Sequence, residues 1–468
     1  MTVFEGMMSY GRNLTLSTLV AVSLLFGAAW GATSVARAES DFVVDPTFGT
    51  AAVIKGELGP ISGSAAISPK LLTRDAEGRI LFGAGSGDDW QIYRYLADGT
   101  PDVSFGDQGK VEITQWIGYT GPYAETNLAS GVVKPDGRIL LAGYIGSSIL
   151  GNNARKGHAN LVLKQLMPDG SEDLTFGQDD GTIWVEGGMG ATKLLLRPDG
   201  GYLVGGFQQR DETGRTDDSA LFIFNPDGSF DDKFQRGLMY SAVDVYGAPG
   251  RPSDVFDVDQ LPGGRMLLSG TKKNYLWLMM LRKDGTRDPS FGKRGQVVMM
   301  PGGKKKTFVA VARDLEIDNQ GRFLVTGFTN PKDLDNDPGY GLVMRFTRNG
   351  RPDKTFGTMG IVRLYGTPKK GESTTRLYDI QTDTQGGIWV VGSAGKSPRD
   401  ERHAIAVRYT RNGKKDPHFF NKGVLNIGLG DGSVGTALIR AGKKMYLSGR
   451  YDQGDQENFF IKRLMPEQ

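Results

Sequence analysis

Beyond residue 40, apolar and polar residues alternate in short runs broken by Gly, Asp, Asn and Pro. One stretch reads "KVEIT", "ASGVVK", "RILLAGY" and "LVLKQL" in succession. A period of two with turn residues at each break is the pattern of half-buried β-strands. The second and third of these runs are joined by Asp-Gly or a relative of it, the two-residue hairpin signal whose positive-φ positions suit Gly and Asn. Proline, which cannot donate to a ladder, falls in the turns rather than in the runs.

The same four runs return along the chain. A turn phrase occurs seven times: "VDPTFGTAAV" (44–53), "PDVSFGDQGKV" (101–111), "EDLTFGQDDGTI" (172–183), "FDDKFQRGLM" (230–239), "RDPSFGKRGQV" (287–297), "PDKTFGTMGIV" (352–362) and "KDPHFFNKGV" (415–424). A second phrase interleaves with it, as in "PDGRILLAGY" (135–144) and "NQGRFLVTGF" (319–328). Successive copies stand about sixty residues apart, a spacing that belongs to repeat architectures and fits one four-stranded propeller blade. The reading is therefore an all-β, seven-bladed β-propeller of four-stranded antiparallel blades, which by closing on itself leaves few long edges exposed. An open seven-unit solenoid is the alternative, but its end units would look atypical as caps, and these do not. The pattern leaves open whether the terminal units abut or the two ends share a blade.

The combination PDG-x-x-D-x-x-FG-x-x-G with DGR-I-L-x-x-G resembles the delta-60 repeat family of exported bacterial β-propellers. The resemblance covers the chain from residue 39 onward. It implies the propeller and supplies no activity. Two copies depart from the phrase, with Gln235 and Phe420 standing where the glycine belongs. Those two turns are expected to be less sharp.

Residues 1–38 read as a signal peptide, leaving 39–468 as a single domain. Arg12 supplies the basic start, "LTLSTLVAVSLLFGAAWGA" the apolar core and Ala36-Arg37-Ala38 the cleavage site. A transmembrane anchor is the competing reading, disfavoured because no basic stop-transfer follows. The expectation is an exported protein, periplasmic or secreted, with no transmembrane segment after cleavage. Cysteine is absent, which excludes disulfides, thiolate metal sites and a cysteine nucleophile. The formal net charge of +3 becomes +2 once Arg12, Arg37 and Glu5 are removed. So small a charge argues against nucleic acid as a partner. Glycine, at 68 residues, is abundant without a collagen-like period and fits many tight turns.

The recurring aromatics Phe48, Phe105, Phe176, Phe234, Phe291, Phe356 and Phe419 read as structural, buried between neighbouring blades. Five residues before each turn glycine stand Arg94, Gln165, Ile223, Met280, Arg345 and Arg408, with Arg463 equivalent near the end. They form a partial basic ring if they face the channel. Otherwise each guanidinium pairs with a turn aspartate such as Asp102, Asp353 or Asp416.

Strand parity separates the loops. All repeated turns lie on one face of the disk, and the long dissimilar segments, among them 114–127, 145–160, 208–218, 240–254, 329–341 and 393–403, lie on the other. Binding residues concentrate on variable loops held by a rigid scaffold. The candidate ligand-binding residues are therefore Trp116, Tyr119 and Tyr123, which can stack on a sugar or a partner, and the acidic Asp211, Asp217, Asp333, Asp335 and Asp337. "DLDND" (333–337) begins like a calcium loop, but Gly339 falls one place late and Met344 stands where the bidentate Glu belongs, so no metal is expected.

Catalytic signals are thin. "GDGSVG" (430–435) is flanked by strands and opens no helix, no G-x-S-x-G elbow occurs, and His158, His403 and His418 lie in different units. The expectation is a monomeric binding scaffold without a cofactor, presenting its variable face to a protein or carbohydrate. A hydrolase or lyase with carboxylates on that face is the alternative.

Overall fold

The structure is a computed structural model, and it describes residues 42–60, 71–86, 89–114, 124–147, 159–177, 181–185, 187–209, 217–231, 253–272, 275–301, 308–331, 339–366, 374–396 and 402–467. Seven antiparallel sheets follow one another along the chain and close into a ring, forming a seven-bladed propeller. Among the described residues there is no helix, hence none long and apolar enough to cross a membrane. The signal-peptide expectation for residues 1–38 lies outside the described residues.

Each blade runs from the channel outward in chain order. Blade 5 shows the plan: an inner strand Phe308–Ile317, a second strand Phe323–Pro331, a third Gly341–Phe346 and an outer Ile361–Leu364. The inner strands of the others are Leu71–Arg74 (blade 1), Ala124–Val133 (blade 2), Met189–Leu196 (blade 3), Ser253–Gln260 (blade 4), Thr374–Thr382 (blade 6) and Gly432–Ala441 (blade 7). In blade 3 three strands are described. The two ends of the chain share blade 7. Phe42–Val44 and Ile54–Pro60 both pair antiparallel with the strand Gln456–Pro466 and supply the blade's outer strand. The sequence question about the ends is thereby answered: the first unit donates its first strand to the last.

The core is divided into seven slabs, one at every seam between blades. Period two explains how one strand serves two slabs. In the third strand of blade 5, Leu342 and Met344 point to blade 4 while Val343 points to blade 6.

In six of the seven inner strands the register with the second strand slips by one residue, at Leu128/Ser130, Ala191/Lys193, Val255/Asp257, Ala312/Asp314, Leu377/Asp379 and Gly435/Ala437. These are β-bulges, which re-aim side chains locally. They also account for the glycine closing the second repeated phrase. A Cβ on Gly327 would lie 1.9 Å from the Val311 carbonyl oxygen, so only glycine lets the two strands meet there.

Candidate functional site

The recurring turn is a joint. In blade 4, Asp288 accepts hydrogen bonds from the Ser290 amide (3.1 Å) and hydroxyl (2.6 Å), an Asx turn that sets the chain for Phe291. Phe291 is 1% exposed and reaches under the turn of the next blade, where a Cβ on Gly350 would lie 2.7 Å from its ring. The Gly292 amide, at φ 55, donates across the same seam to the Asn349 carbonyl at 2.8 Å. The same relation links Phe48 to Gly99, Phe105 to Gly170, Phe176 to Gly228 and Phe356 to Gly413. Phe419 is buried against Phe42 and Trp389 at the closing seam. Phe234 lies outside the described residues.

The arginines belong to these joints. Arg94 donates from Nε to Asp102 at 2.8 Å, Arg345 to Asp353 at 2.8 Å and Arg463 to Asp45 at 2.8 Å, and Arg408 pairs with Asp416. Each of the first three also stacks on its turn phenylalanine, with Arg94 4.5 Å from the Phe105 centroid. One further guanidinium nitrogen reaches a carbonyl of the next blade, Pro168 for Arg94 and Arg411 for Arg345, and the other donates to the turn hydroxyl, Ser104 or Thr355. Gln165 plays the arginine's part in blade 2, donating to Asp173 at 2.7 Å. The side chains stand on third strands, away from the channel, so they form no basic ring. Burial opposes ionisation of Asp102, but donors from Ser104 and Arg94 hold it below the usual carboxylate range.

Phe420 keeps the turn sharp despite lacking the glycine. It adopts φ 41 itself, inside the left-handed region where Gly292 and Gly357 also sit. The expectation of a blunter turn there is corrected: the surrounding joint imposes the conformation on a residue that resists it.

Of the residues singled out for binding, Trp116, Tyr119, Tyr123, Asp211, Asp333, Asp335 and Asp337 lie outside the described residues. Asp217 opens the third strand of blade 3, in register with Gln209. Residues 430–435 run into the inner strand of blade 7 with no helix after them. Among the described residues no group of His, Asp and Glu is arranged to hold a metal ion.

Sequence reasoning missed a second locality. A cavity of about 430 Å³ opens on the axis and is lined by the inner strands of all seven blades. Its lining is tiered because the bulges bring equivalent positions to one level. At the bulges stand Phe256, Arg313 and Tyr378; next come Lys193, Asp314 and Asp379, with the buried Asp257 at the same level of blade 4; two residues further are Asp259, Glu316 and Gln381. The charged groups all come from blades 3 to 6. Blades 7, 1 and 2 offer Leu72, Val132, Leu438 and Ile439 instead, so the cavity has one charged and one apolar wall.

In the first tier the Arg313 guanidinium lies 4.9 Å from the Phe256 ring, 5.3 Å from Phe328 and 5.8 Å from Tyr378. In the second, the Lys193 ammonium sits 3.0 Å from Asp257 and 3.5 Å from Asp314. Burial pulls Lys193 towards neutrality, yet the carboxyls of Asp257, Asp314 and Asp379 outweigh it and hold its pKa above the ordinary lysine value. A lysine so held stays an ammonium and is no nucleophile.

In the third tier Glu316 accepts from the Thr382 hydroxyl at 2.9 Å and from Gln381 at 3.3 Å. Burial, followed by the charges of Asp314 and Asp259, pushes it up to about 7 despite the Thr382 donor. Asp259 is raised, chiefly by burial. A carboxyl whose folded pKa exceeds its unfolded value stabilises the fold at low pH, and the contribution drains away as pH rises towards the folded value. Glu316→Gln is therefore expected to flatten the fall in melting temperature between about pH 4.5 and pH 7. Parallel melting-temperature profiles for the two proteins would contradict that assignment.

One family model matches, over residues 78–105, and is described as a domain of unknown function (DUF5122) beta-propeller. The match spans the second and third strands of blade 1 and ends at Phe105 of its turn. No curated protein matches the chain. Among solved structures, the chain is similar to a catalytically inactive virginiamycin B lyase from Staphylococcus aureus with quinupristin, at 10% identity and TM-score 0.45, covering 88% of this chain and 99% of that one. It is also similar to a protein from Lactobacillus plantarum, at 15% identity and TM-score 0.43 over 74% and 83%. A prolyl oligopeptidase B from Galerina marginata gives 14% identity and TM-score 0.40 over 85% and 47%. The family match and the seven blades agree on a propeller built from repeats.

Proposed function

We propose that the chain is an exported, monomeric, non-catalytic propeller that seats a protein or a glycan on its variable loop face. The observation that carries this reading is the consumption of the opposite face by the joints. There the turn Asp, Arg, Phe and Gly side chains and amides are spent on holding blade to blade, as at Asp353, Arg345, Phe356 and Gly357. The dissimilar segments attach at the other ends of the same strands, on a scaffold rigid enough to position them. The resemblance of the repeats to the delta-60 family of exported propellers supports export. The test is a glycan array probed with the chain beginning at Glu39. Binding lost on Trp116→Ala, Tyr119→Ala and Tyr123→Ala together, with melting temperature retained, is the expected result. Undiminished binding by that variant counts against the reading.

A second reading, a hydrolase or lyase, is favoured by one observation: the Glu316 carboxyl is buried on the wall of the axial cavity beside Asp314 and Asp259, an environment that raises its pKa and suits a general acid. A screen of glycosidase and lyase substrates decides between the two. Turnover abolished by Glu316→Gln, or by a single carboxylate change on the variable face, would replace the binding reading.

A further inference from the structure

Three successive inner strands carry aspartate at the same position after the bulge, and each aspartate reaches across a seam to the next blade. Asp257 of blade 4 accepts the Leu315 amide of blade 5 at 2.8 Å. Asp314 of blade 5 accepts the Ile380 amide of blade 6 at 2.9 Å. Asp379 of blade 6 accepts the Leu438 amide of blade 7 at 3.0 Å. Three carboxyls thus form an arc around the channel, Asp314 and Asp379 on the cavity wall and Asp257 buried beside them, and one ammonium, Lys193, serves the arc.

The arc is graded. Asp257 has three donors: Lys193, the Val258 amide at 2.8 Å and the Leu315 amide. Asp314 has Lys193 at the longer distance and one amide. Asp379 has the Leu438 amide on Oδ2, while its Oδ1 is buried with no donor. A buried carboxylate oxygen facing another carboxylate without a donor is costly, and a proton between the two removes both the charge and the deficit.

We propose that Asp314 and Asp379 share a resident proton at neutral pH, and that this proton locks the seam between blades 6 and 7 at the channel wall. Carried on Asp379 Oδ1, the proton donates to Asp314, which keeps the negative charge that Lys193 offsets. When the proton leaves at higher pH, two carboxylates confront each other beside one ammonium, and the Leu438 contact loosens. The groups facing the pair are Lys193 from blade 3, Asp257 and Asp259 from blade 4, Arg313 and Glu316 from blade 5 and Tyr378 from blade 6. Among the described residues blade 7 lines this side with the uncharged Thr436, Leu438 and Ile439, and none of these is a cation that takes the proton's place. Burial raises both Asp379 and Asp257 well above an ordinary aspartate, with Asp314 adding to each, and of the two it is Asp379 that has an oxygen without a donor. The sign follows: the contribution is full below the unfolded aspartate value and is lost as pH rises through the folded one.

The test is amide exchange at Leu438 in the full chain, expressed as a protection factor, from about pH 5 to about pH 9. Wild-type protection at Leu438 is expected to fall about tenfold or more over that range. In Asp379→Asn the amide oxygen still accepts from Leu438 and the amide nitrogen donates to Asp314, so protection should stay level and the melting temperature at pH 7 should be retained or raised. A level wild-type profile overturns the proposal, as does an Asp379→Asn protein that keeps the wild-type slope. Should that variant fail to fold, carbon-13 carboxyl titration of Asp379 in the wild type decides. A midpoint above about 7 supports the lock, and one below that, down to the ordinary aspartate value of about 3.9, overturns it.

Discussion

A chain lacking residues 42–60 is expected to lose its cooperative fold. These residues are the outer strand of blade 7, and they also fill two seams. Phe42 and Val53 belong to the slab between blades 6 and 7, and Phe48, Ile54 and Leu58 to the slab between blades 7 and 1. Each such side chain contributes about 1.5–3 kcal/mol when buried, so the five together rival the roughly 5–15 kcal/mol that holds a domain folded. The loss also leaves Arg463, 5% exposed, without Asp45, a buried charge stripped of its partner. Urea unfolding followed by tryptophan fluorescence measures the effect, with Trp389 beside Phe42 as a reporter of the closing seam. A peptide of residues 42–60 added in trans should restore the transition. An unchanged urea midpoint in the shortened chain would mean that the ring does not depend on its closing strand.

Phe291→Ala is the second large expectation, a loss of about 3–5 kcal/mol. The side chain is 1% exposed, meets Phe323 edge-on at a centroid distance of 5.8 Å and is roofed by Gly350 of the next blade. The neighbours that would have to collapse into the space are backbone at Gly350 and strand residues on two blades, so the cavity stays open. Thermal melting of the variant checks it. A melting temperature equal to that of the wild type would show that the turn aromatic is not part of the joint.

Much of the joint was legible in the repeats. Arg94 and Asp102, Gln165 and Asp173, and Arg345 and Asp353 each stand eight residues apart, and each pair is bonded. The choice between a channel ring and a turn pair needed the strand order, since parity alone does not say which of four strands is innermost. Blade closure was hidden for a related reason. Strand identity repeats along the chain, so a unit boundary drawn one strand later gives the same pattern, and only the pairing of Ile54–Pro60 with Gln456–Pro466 resolves it.

The channel is invisible in any single copy of the repeat. "FDVDQ", "ARDLEI" and "LYDIQ" each look like an ordinary strand of alternating polar and apolar residues. Laid in register, Asp257, Asp314 and Asp379 coincide, with Lys193 at the same place in the unit before. A charge recurring at one level of an inner strand marks the axis, because the seams on either side admit apolar groups. The bulge that aims these side chains inward leaves no mark of its own except the glycine facing it.

Under the proposal, one face of the disk holds the blades together and the other holds the ligand. Amide exchange of the chain from Glu39 onward, with and without a glycan-array hit, tests that division most directly. Protection confined to the segments 114–127, 145–160, 208–218, 240–254, 329–341 and 393–403 is the expected result. Protection that appears instead at the Phe-Gly turns, such as 101–109 or 288–295, would contradict it.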